Sequence, residues 1–206
     1  MDEKVSYCNG CVIAMQGKDC VAISTDRRLS LSSYTIGEDF EKIFNLAPRL
    51  YVGVTGLQAD ILTVQERLGC RRNVYEINTN SLVTPKIVTE LLSHMLYQHR
   101  FAPFHVESIV AGMDPYTLEP YLCNMDLLGW STVSSDFVVV GTCTEQMIGT
   151  CESLWEPNMD ADRLFEAISR AMISAGCRDT ISGCGMKVYL IEHDKVTVRL
   201  VKTRMD

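Results

Sequence analysis

Glycines that follow short apolar runs are the residues of this chain whose positions most clearly suggest a chemical role. Gly56 and Gly141 each stand where an apolar, strand-like run gives way to a helical pattern. At such a transition the first backbone N–H groups have no partner and can point at an oxyanion. A third segment, residues 178–185, is polar and glycine-rich. Glycine that merely permits a turn explains each place equally simply, so an oxyanion-binding role stays open.

Cys8 and Cys11 form a C-x-x-C pair, a spacing found in zinc sites and in redox dithiols. Zinc would need a second ligand pair, which the four histidines do not supply at a suitable spacing. A redox pair opens a helix, whereas this pair opens an apolar strand pattern. We therefore interpret the pair as a coincidence among nine cysteines, with packing as the role of the others, and expect neither a metal nor a cofactor.

Three charged residues end the second apolar run of the chain. Asp26, Arg27 and Arg28 follow the predicted strand 20–25 without an intervening polar residue. A charge at the end of a buried strand needs a partner, because an unpaired buried charge is costly. We interpret the two arginines as anchors for the following turn, paired with nearby acids.

Composition excludes several classes of protein. The chain has 206 residues, 47% of them hydrophobic, a net charge of −7 and a pI near 5.1. It has no run of lysine and arginine to neutralise a nucleic-acid backbone, so we expect no nucleic-acid partner. It has neither a signal-peptide pattern nor an apolar run of about 20 residues, so we expect no membrane partner and a location in cytoplasm and nucleus. The odd, scattered cysteines favour reduced thiols.

The elements that must position these residues alternate in blocks. Two apolar stripes predict a first helix pair, one at Leu57, Ile61, Val64 and Leu68 and one that begins at Thr84-Pro85. A second pair is predicted from Met147, Ile148, Cys151, Leu154 and Trp155, and from Leu164, Phe165, Ile168 and Met172. The predicted strands are residues 11–15, 20–25, 42–45, 49–54, 106–112, 118–125, 137–141, 186–192 and 196–202.

This order of elements predicts an α+β fold. Strands, two helices, strands, two helices and a final hairpin do not alternate as in a parallel α/β fold. Two antiparallel sheets packed face to face, with a helix pair on each outer face, would bury every apolar stripe. We therefore predict a four-layer α/β/β/α sandwich.

In chain order, these features resemble the proteasome beta-subunit family over nearly the whole chain. The features are a hairpin that ends in Asp26-x-Arg28, Lys42 before the next strand, a strand that enters a helix at Gly56, and a late Asp-x-x-Ser-Gly loop. The resemblance implies the N-terminal nucleophile hydrolase fold, which is the same four-layer sandwich. Three longer segments, residues 136–147, 151–160 and 202–206, resemble a non-catalytic type of beta subunit. The resemblance also implies that residues 1–9 are an unprocessed N-terminal extension and that residues 10–206 form a single domain.

The resemblance also implies roles for individual residues. Catalytic members use an N-terminal threonine as nucleophile and its own α-amine as base, which works because an α-amine titrates near pH 8. That position falls on Gly10, which has no hydroxyl, so the chain is expected to be inactive. The other positions of this vestigial site are Asp26, Lys42, the oxyanion-hole residue Gly56, Thr142 in place of a serine, Asp179 and Ser182.

The resemblance implies a structural role in the 20S proteasome core particle. Other beta subunits would supply its threonine endopeptidase activity toward unfolded and ubiquitin-tagged proteins. The expected partners are beta type-2 and beta type-4 neighbours in the ring, the alpha ring, the opposite beta ring and, indirectly, the regulatory particle. Cys123 and Asp126 are candidates for lending side chains to a neighbour's substrate pocket.

Two alternatives of other classes stay open. One is an active N-terminal hydrolase that exposes Ser6, Cys8 or Cys11 by unusual processing. The other is a redox or metal-binding protein built on Cys8 and Cys11.

Overall fold

The structure is a computed structural model that describes residues 10–31 and 34–203. The predicted extension 1–9, with Ser6 and Cys8, lies outside the described residues. Within the described part the helices are α1 (Gln58–Thr79), α2 (Pro85–Gln98), α3 (Thr144–Leu154) and α4 (Ala161–Gly176). The strands there are β1 (Cys11–Gln16), β2 (Cys20–Asp26), β3 (Leu29–Leu31), β4 (Tyr34–Gly37), β5 (Ile43–Ala47), β6 (Leu50–Gly56), β7 (Val106–Met113), β8 (Pro120–Met125), β9 (Ser131–Val133), β10 (Phe137–Gly141), β11 (Met186–Glu192) and β12 (Val196–Val201).

Two antiparallel sheets of five described strands each form the centre of the molecule. The first has the order β10-β1-β2-β11-β12 and the second the order β5-β6-β7-β8-β9. Every paired strand in both runs antiparallel to its neighbour. The short pair β3-β4 forms a separate hairpin.

Side-chain alternation along the strands builds three apolar layers. In β1, Cys11 and Ile13 pack against α3 and α4, whereas Val12 and Ala14 pack between the two sheets. This follows from the two-residue period of a strand, which sends successive side chains to opposite faces. The second sheet packs its other face on α1 and α2. The predicted α+β sandwich of four layers is therefore confirmed.

Local sequence patterns predicted several helix and strand boundaries correctly. The Thr84 side chain accepts a hydrogen bond from the backbone N–H of Ile87, and Pro85 begins α2, as its sequence predicts. The strands β10 and β11 have the predicted bounds. In the described residues, no helix is long and apolar enough to cross a membrane.

Three predictions about elements were wrong or incomplete. The hairpin β3-β4 was not predicted, because β4 is largely exposed and lacks the alternation of a half-buried strand. The short strand β9 was missed for the same reason. Ile148 was assigned to the buried face of α3 but is 47% exposed.

Candidate functional site

A fully buried ion pair lies where β2 ends. Lys42 Nζ is 2.8 Å from Asp26 Oδ1, and it also donates to the carbonyls of Arg28 at 2.8 Å and Asp26 at 3.3 Å. Lys42 is 0% exposed. An ammonium has three N–H groups, so these three acceptors satisfy it completely. This full pairing makes a buried lysine tolerable at this position.

The Asp26 carboxylate is bound from several directions. Its Oδ1 accepts from the backbone N–H of Cys11 at 3.0 Å, and its Oδ2 accepts from the N–H groups of Arg28 at 3.2 Å and Gly183 at 3.4 Å. These donors come from the start of β1, the end of β2 and the loop before β11. Asp26 therefore ties three separate segments together, which the order of residues along the chain does not reveal.

Gly10 lies directly against this ion pair. Its φ of +69° is in the left-handed region, where residues other than glycine are strained. A Cβ built on Gly10 would lie 2.5 Å from Lys42 Nζ, and closer still to Asp26 Oδ1. The Asp26–Lys42 pair thus occupies the space into which a side chain at residue 10 would extend.

A second polar cluster surrounds Asp179. Its Oδ2 accepts hydrogen bonds from Thr142 Oγ1 at 2.6 Å and Ser182 Oγ at 2.7 Å, and its Oδ1 accepts from the Ile181 N–H at 3.0 Å. Burial opposes ionisation, but these hydrogen bonds together outweigh it and hold the pKa of Asp179 below its usual value.

The two clusters meet at Gly10 and Cys11. The backbone N–H of Thr142 donates to the Gly10 carbonyl at 3.1 Å, and Thr142 Oγ1 lies 3.3 Å from the same oxygen. Ser182 Oγ lies 3.6 Å from Cys11 Sγ. The structure therefore brings together Gly10, Asp26, Lys42, Thr142, Asp179 and Ser182, although they are widely separated along the chain.

Gly56 is positioned by a different contact. A Cβ built there would overlap the His105 carbonyl, and the backbone φ is +134°. The same carbonyl accepts the N–H of Leu57 at 2.9 Å. Glycine at residue 56 is thus needed for the close passage of two chain segments, which is the simpler role considered for it.

The N–H of Gly141 does point at an oxyanion, and that oxyanion belongs to the chain itself. Glu107 Oε2 accepts this hydrogen bond at 3.0 Å. Sequence reasoning missed Glu107. The available signal was an acidic residue inside the otherwise apolar strand β7, where it occupies the exposed position.

The arginines after β2 anchor two turns. Arg27 Nη2 is 2.6 Å from an Asp39 carboxylate oxygen, so the predicted pairing with a nearby acid is confirmed for this arginine. Arg28 Nη1 donates to the Thr180 carbonyl at 2.7 Å, which fastens the end of β2 to the loop that carries Asp179 and Ser182.

The two residues predicted to serve a neighbour's pocket differ in accessibility. Cys123 is 0% exposed within the core beneath α1 and α2, so its side chain offers no surface to a neighbour and that part of the prediction is wrong. Asp126 is exposed, and its Oδ1 accepts the N–H groups of Leu128 at 2.9 Å and Trp130 at 2.7 Å. It borders a depression of about 690 Å³ whose lining also includes the carboxylates of Glu107 and Glu145.

The structure describes only part of the residues on which the redox and metal-binding alternatives depend. Cys8 lies outside the described residues, and Cys11 is fully buried. Among residues 10–31 and 34–203 there is no group of three or more His, Cys, Asp and Glu side chains that could hold a metal ion.

Comparison with known proteins identifies the family. The family model described as proteasome subunit matches residues 8–191. The chain is 52% identical to proteasome subunit beta type-3 of Drosophila melanogaster over 202 residues, which is 98% of each chain. It is 42% identical to the Caenorhabditis elegans protein of the same name over 98% of each chain, and 40% identical to that of Saccharomyces cerevisiae over the full length of both. The chain belongs to the proteasome subunit family.

Proposed function

We propose that the chain is a non-catalytic, structural beta subunit of the proteasome core particle, of the beta type-3 kind. The observation that carries this proposal is the environment of Gly10. The residue at the nucleophile position has no hydroxyl, and the Asp26–Lys42 pair fills the space that a side chain would need.

The loss of a nucleophile is sufficient to abolish hydrolysis. Removing the nucleophile of a hydrolase lowers its rate by about 10⁶-fold. If residues 1–9 stay attached, residue 10 also has no free α-amine to act as the base. The active N-terminal hydrolase therefore has less support than the structural role.

The polar side chains of the vestigial site have a structural role in this proposal. Asp26, Lys42, Thr142, Asp179 and Ser182 hold the ends of β1, β2 and β10 and the loop before β11 in register. Removing one member would leave buried polar groups unsatisfied, which costs more than keeping the complete network. A scaffold with fixed strand ends is what a ring-forming subunit requires.

The proposed partners follow from this role. The chain would contact beta type-2 and beta type-4 neighbours, an alpha ring and the facing beta ring, in cytoplasm and nucleus. Other subunits would cut the substrate.

Native size and covalent labelling together test the proposal. A lysate from the source cell is fractionated under native conditions, and the chain is followed by an antibody or a C-terminal tag. We expect it in a particle far larger than its own 23.1 kDa. An electrophilic peptide probe for N-terminal nucleophiles should label other subunits of that particle and leave this chain unlabelled. A monomeric chain would contradict the structural role, and a labelled chain would contradict the lack of catalysis.

We further propose that Asp126 favours basic substrate residues in a neighbouring site. It is exposed beside a depression that also has Glu107 and Glu145 in its lining, so the local potential is negative. The test is cleavage after basic residues by assembled particles that carry Asp126→Asn or Asp126→Ala.

These two variants separate charge from shape. Asn retains an oxygen acceptor for the Leu128 and Trp130 N–H groups but removes the charge, whereas Ala removes both. Because the Asn variant already lacks the charge, we expect it to reduce cleavage after basic residues several-fold, with cleavage after apolar residues unchanged. Asp194→Asn, at an exposed turn outside the depression, is the control. Unchanged cleavage in the Asn variant would refute the role of the charge.

A further inference from the structure

Three thiols that the proposed function does not use lie in the core between the first sheet and the helices α3 and α4. Cys11, Cys143 and Cys151 are each 0% exposed and belong to the same apolar cluster. Cys11 begins β1, Cys143 immediately precedes α3, and Cys151 lies in the last turns of α3.

Cys11 and Cys143 are close enough to interact directly. Ser182 Oγ is 3.6 Å from Cys11 Sγ and 3.9 Å from Cys143 Sγ, so one hydroxyl contacts both sulfurs. The strand register supports this proximity, because Cys11 is paired with Gly141, two residues before Cys143. Interaction with the Cys143 thiol, followed by burial and the nearby charge of Asp26, raises the pKa of Cys11.

A cavity lies beside Cys11, one member of this pair. It has a volume of about 450 Å³, and its lining includes Cys11, Ser182 and the exposed Cys177. Because Cys177 is exposed, the cavity reaches the surface close to the carboxyl end of α4. Hydrogen peroxide, which has two heavy atoms, is far smaller than this volume.

We propose that Cys11 and Cys143 are a redox pair that forms a disulfide on exposure to hydrogen peroxide. The Cys11 thiol, which borders the cavity, reacts first: its sulfur takes one oxygen from peroxide to give a sulfenic acid, and one water leaves. The Cys143 thiol then displaces the hydroxyl of the sulfenic acid as a second water, and the S–S bond forms. In total, two thiols lose two hydrogens and two electrons, and one peroxide is reduced to two waters.

The surroundings set the conditions under which this reaction occurs. The thiolate is the reactive form, and the raised pKa of Cys11 keeps the thiol protonated near neutral pH, so the pair stays reduced until the oxidant is sustained. The product joins the two sulfurs in a bond of about 2.05 Å. This bond joins the start of β1 to the start of α3, at the edge of the polar clusters around Gly10.

Peptide mapping of the wild-type chain tests the proposal without any variant. The full-length chain is isolated under native conditions in whatever assembly it occupies, treated with hydrogen peroxide, alkylated and digested with trypsin and a glutamate-specific protease. Cleavage after Glu145 separates Cys143 from Cys151, and Lys18 ends the peptide that contains Cys8 and Cys11. We expect the peptide that ends at Lys18 to be cross-linked to the peptide that ends at Glu145, lighter by about 2 Da than the two reduced peptides together and lost on reduction. Fragment spectra should place the bond on Cys11 and not Cys8, and on Cys143 and not Cys123.

The other cross-links overturn the proposal. A bond between Cys8 and Cys11, or between Cys143 and Cys151, assigns the chemistry to a different pair. Oxidation of the exposed Cys177 with Cys11 and Cys143 still reduced shows that the buried pair is inert. As a check on assignment, Cys143→Ser should abolish the cross-linked peptide, whereas Cys20→Ser, at the far end of β2, should retain it.

Discussion

At the scale of single residues, the meaning of Gly10 depends on what surrounds it. Glycines 10 and 69 are both internal to the chain, yet their environments are opposite. A Cβ on Gly10 would overlap the Asp26–Lys42 pair, whereas a Cβ on Gly69, in the middle of α1, would meet nothing within 4 Å. Adding a side chain should therefore lower the stability of the chain at residue 10 and raise it at residue 69.

Gly10→Thr should leave the chain inactive and destabilise it. The positive φ alone costs a residue with a Cβ about 1–2 kcal/mol, and the overlap with a buried ion pair adds to this. Urea unfolding of the chain should show the loss, and the electrophilic peptide probe should still fail to label the variant. Gly69→Ala is the control and should gain about 0.5–1 kcal/mol in helix stability. Labelling of the Thr variant would show that the ion pair can yield to a nucleophile.

Lys42→Met should be strongly destabilising. It leaves the Asp26 carboxylate buried without its cation, and breaking a buried pair in this way costs about 3–5 kcal/mol. The matched control is Arg170→Met, which breaks an exposed pair with Glu166 and should cost less than about 1 kcal/mol. Both are measured as free energies of unfolding. Equal losses in free energy of unfolding for the two variants would contradict the idea that burial makes the Asp26–Lys42 pair costly to break.

At the scale of elements, the loop between α4 and β11 adds side-chain contacts to strand ends that already share one sheet. Asp179 binds Thr142 at the junction of β10 and α3, and Thr180 receives Arg28 from the end of β2. The polar, glycine-rich composition of this loop indicated only a loop. The carboxylate of Asp179 makes this loop a link between the first sheet and the second helix pair.

Stability should depend on pH through Asp179. Its folded-state pKa is lowered, so the folded chain holds this proton less readily than the unfolded chain, where the pKa is about 3.9. The contribution is therefore present above the unfolded value and is lost as pH falls through the folded value. The difference in free energy of unfolding between wild type and Asp179→Asn should be larger at about pH 6 than at about pH 3. A difference that is the same at both pH values would refute this linkage.

At the scale of the whole molecule, several large apolar side chains lie on the surface. Phe101 is 88% exposed and Trp130 is 75% exposed, and the exposed strand β4 adds Tyr34 and Ile36. Apolar residues of this size on the surface often mark contacts with other proteins. They agree with the proposed assembly into rings.

Assembly should protect some of these side chains from oxidation. Hydroxyl-radical footprinting of the native particle, compared with the urea-dissociated and refolded chain, measures the change at each residue. We expect modification of Trp130 and Tyr34 to fall several-fold in the particle, because neighbouring subunits would cover them. His193, at the turn between β11 and β12, serves as an internal reference. Equal modification of Trp130 and Tyr34 in both states would place the subunit contacts elsewhere.

The sequence by itself determined the layers of this protein and the presence of a glycine, without a hydroxyl, at residue 10. Alternating apolar residues, helix stripes and the Thr84-Pro85 start depend on neighbours a few residues apart, and such local patterns specify strands, helices and the faces that they bury. Only the tertiary structure decided that the Asp26–Lys42 pair fills the space beside Gly10, that Glu107 binds the Gly141 N–H, and that Cys123 is inaccessible. These facts depend on contacts between residues far apart in the chain, which exist only after the two sheets and the late loop have packed. No local pattern carries that information.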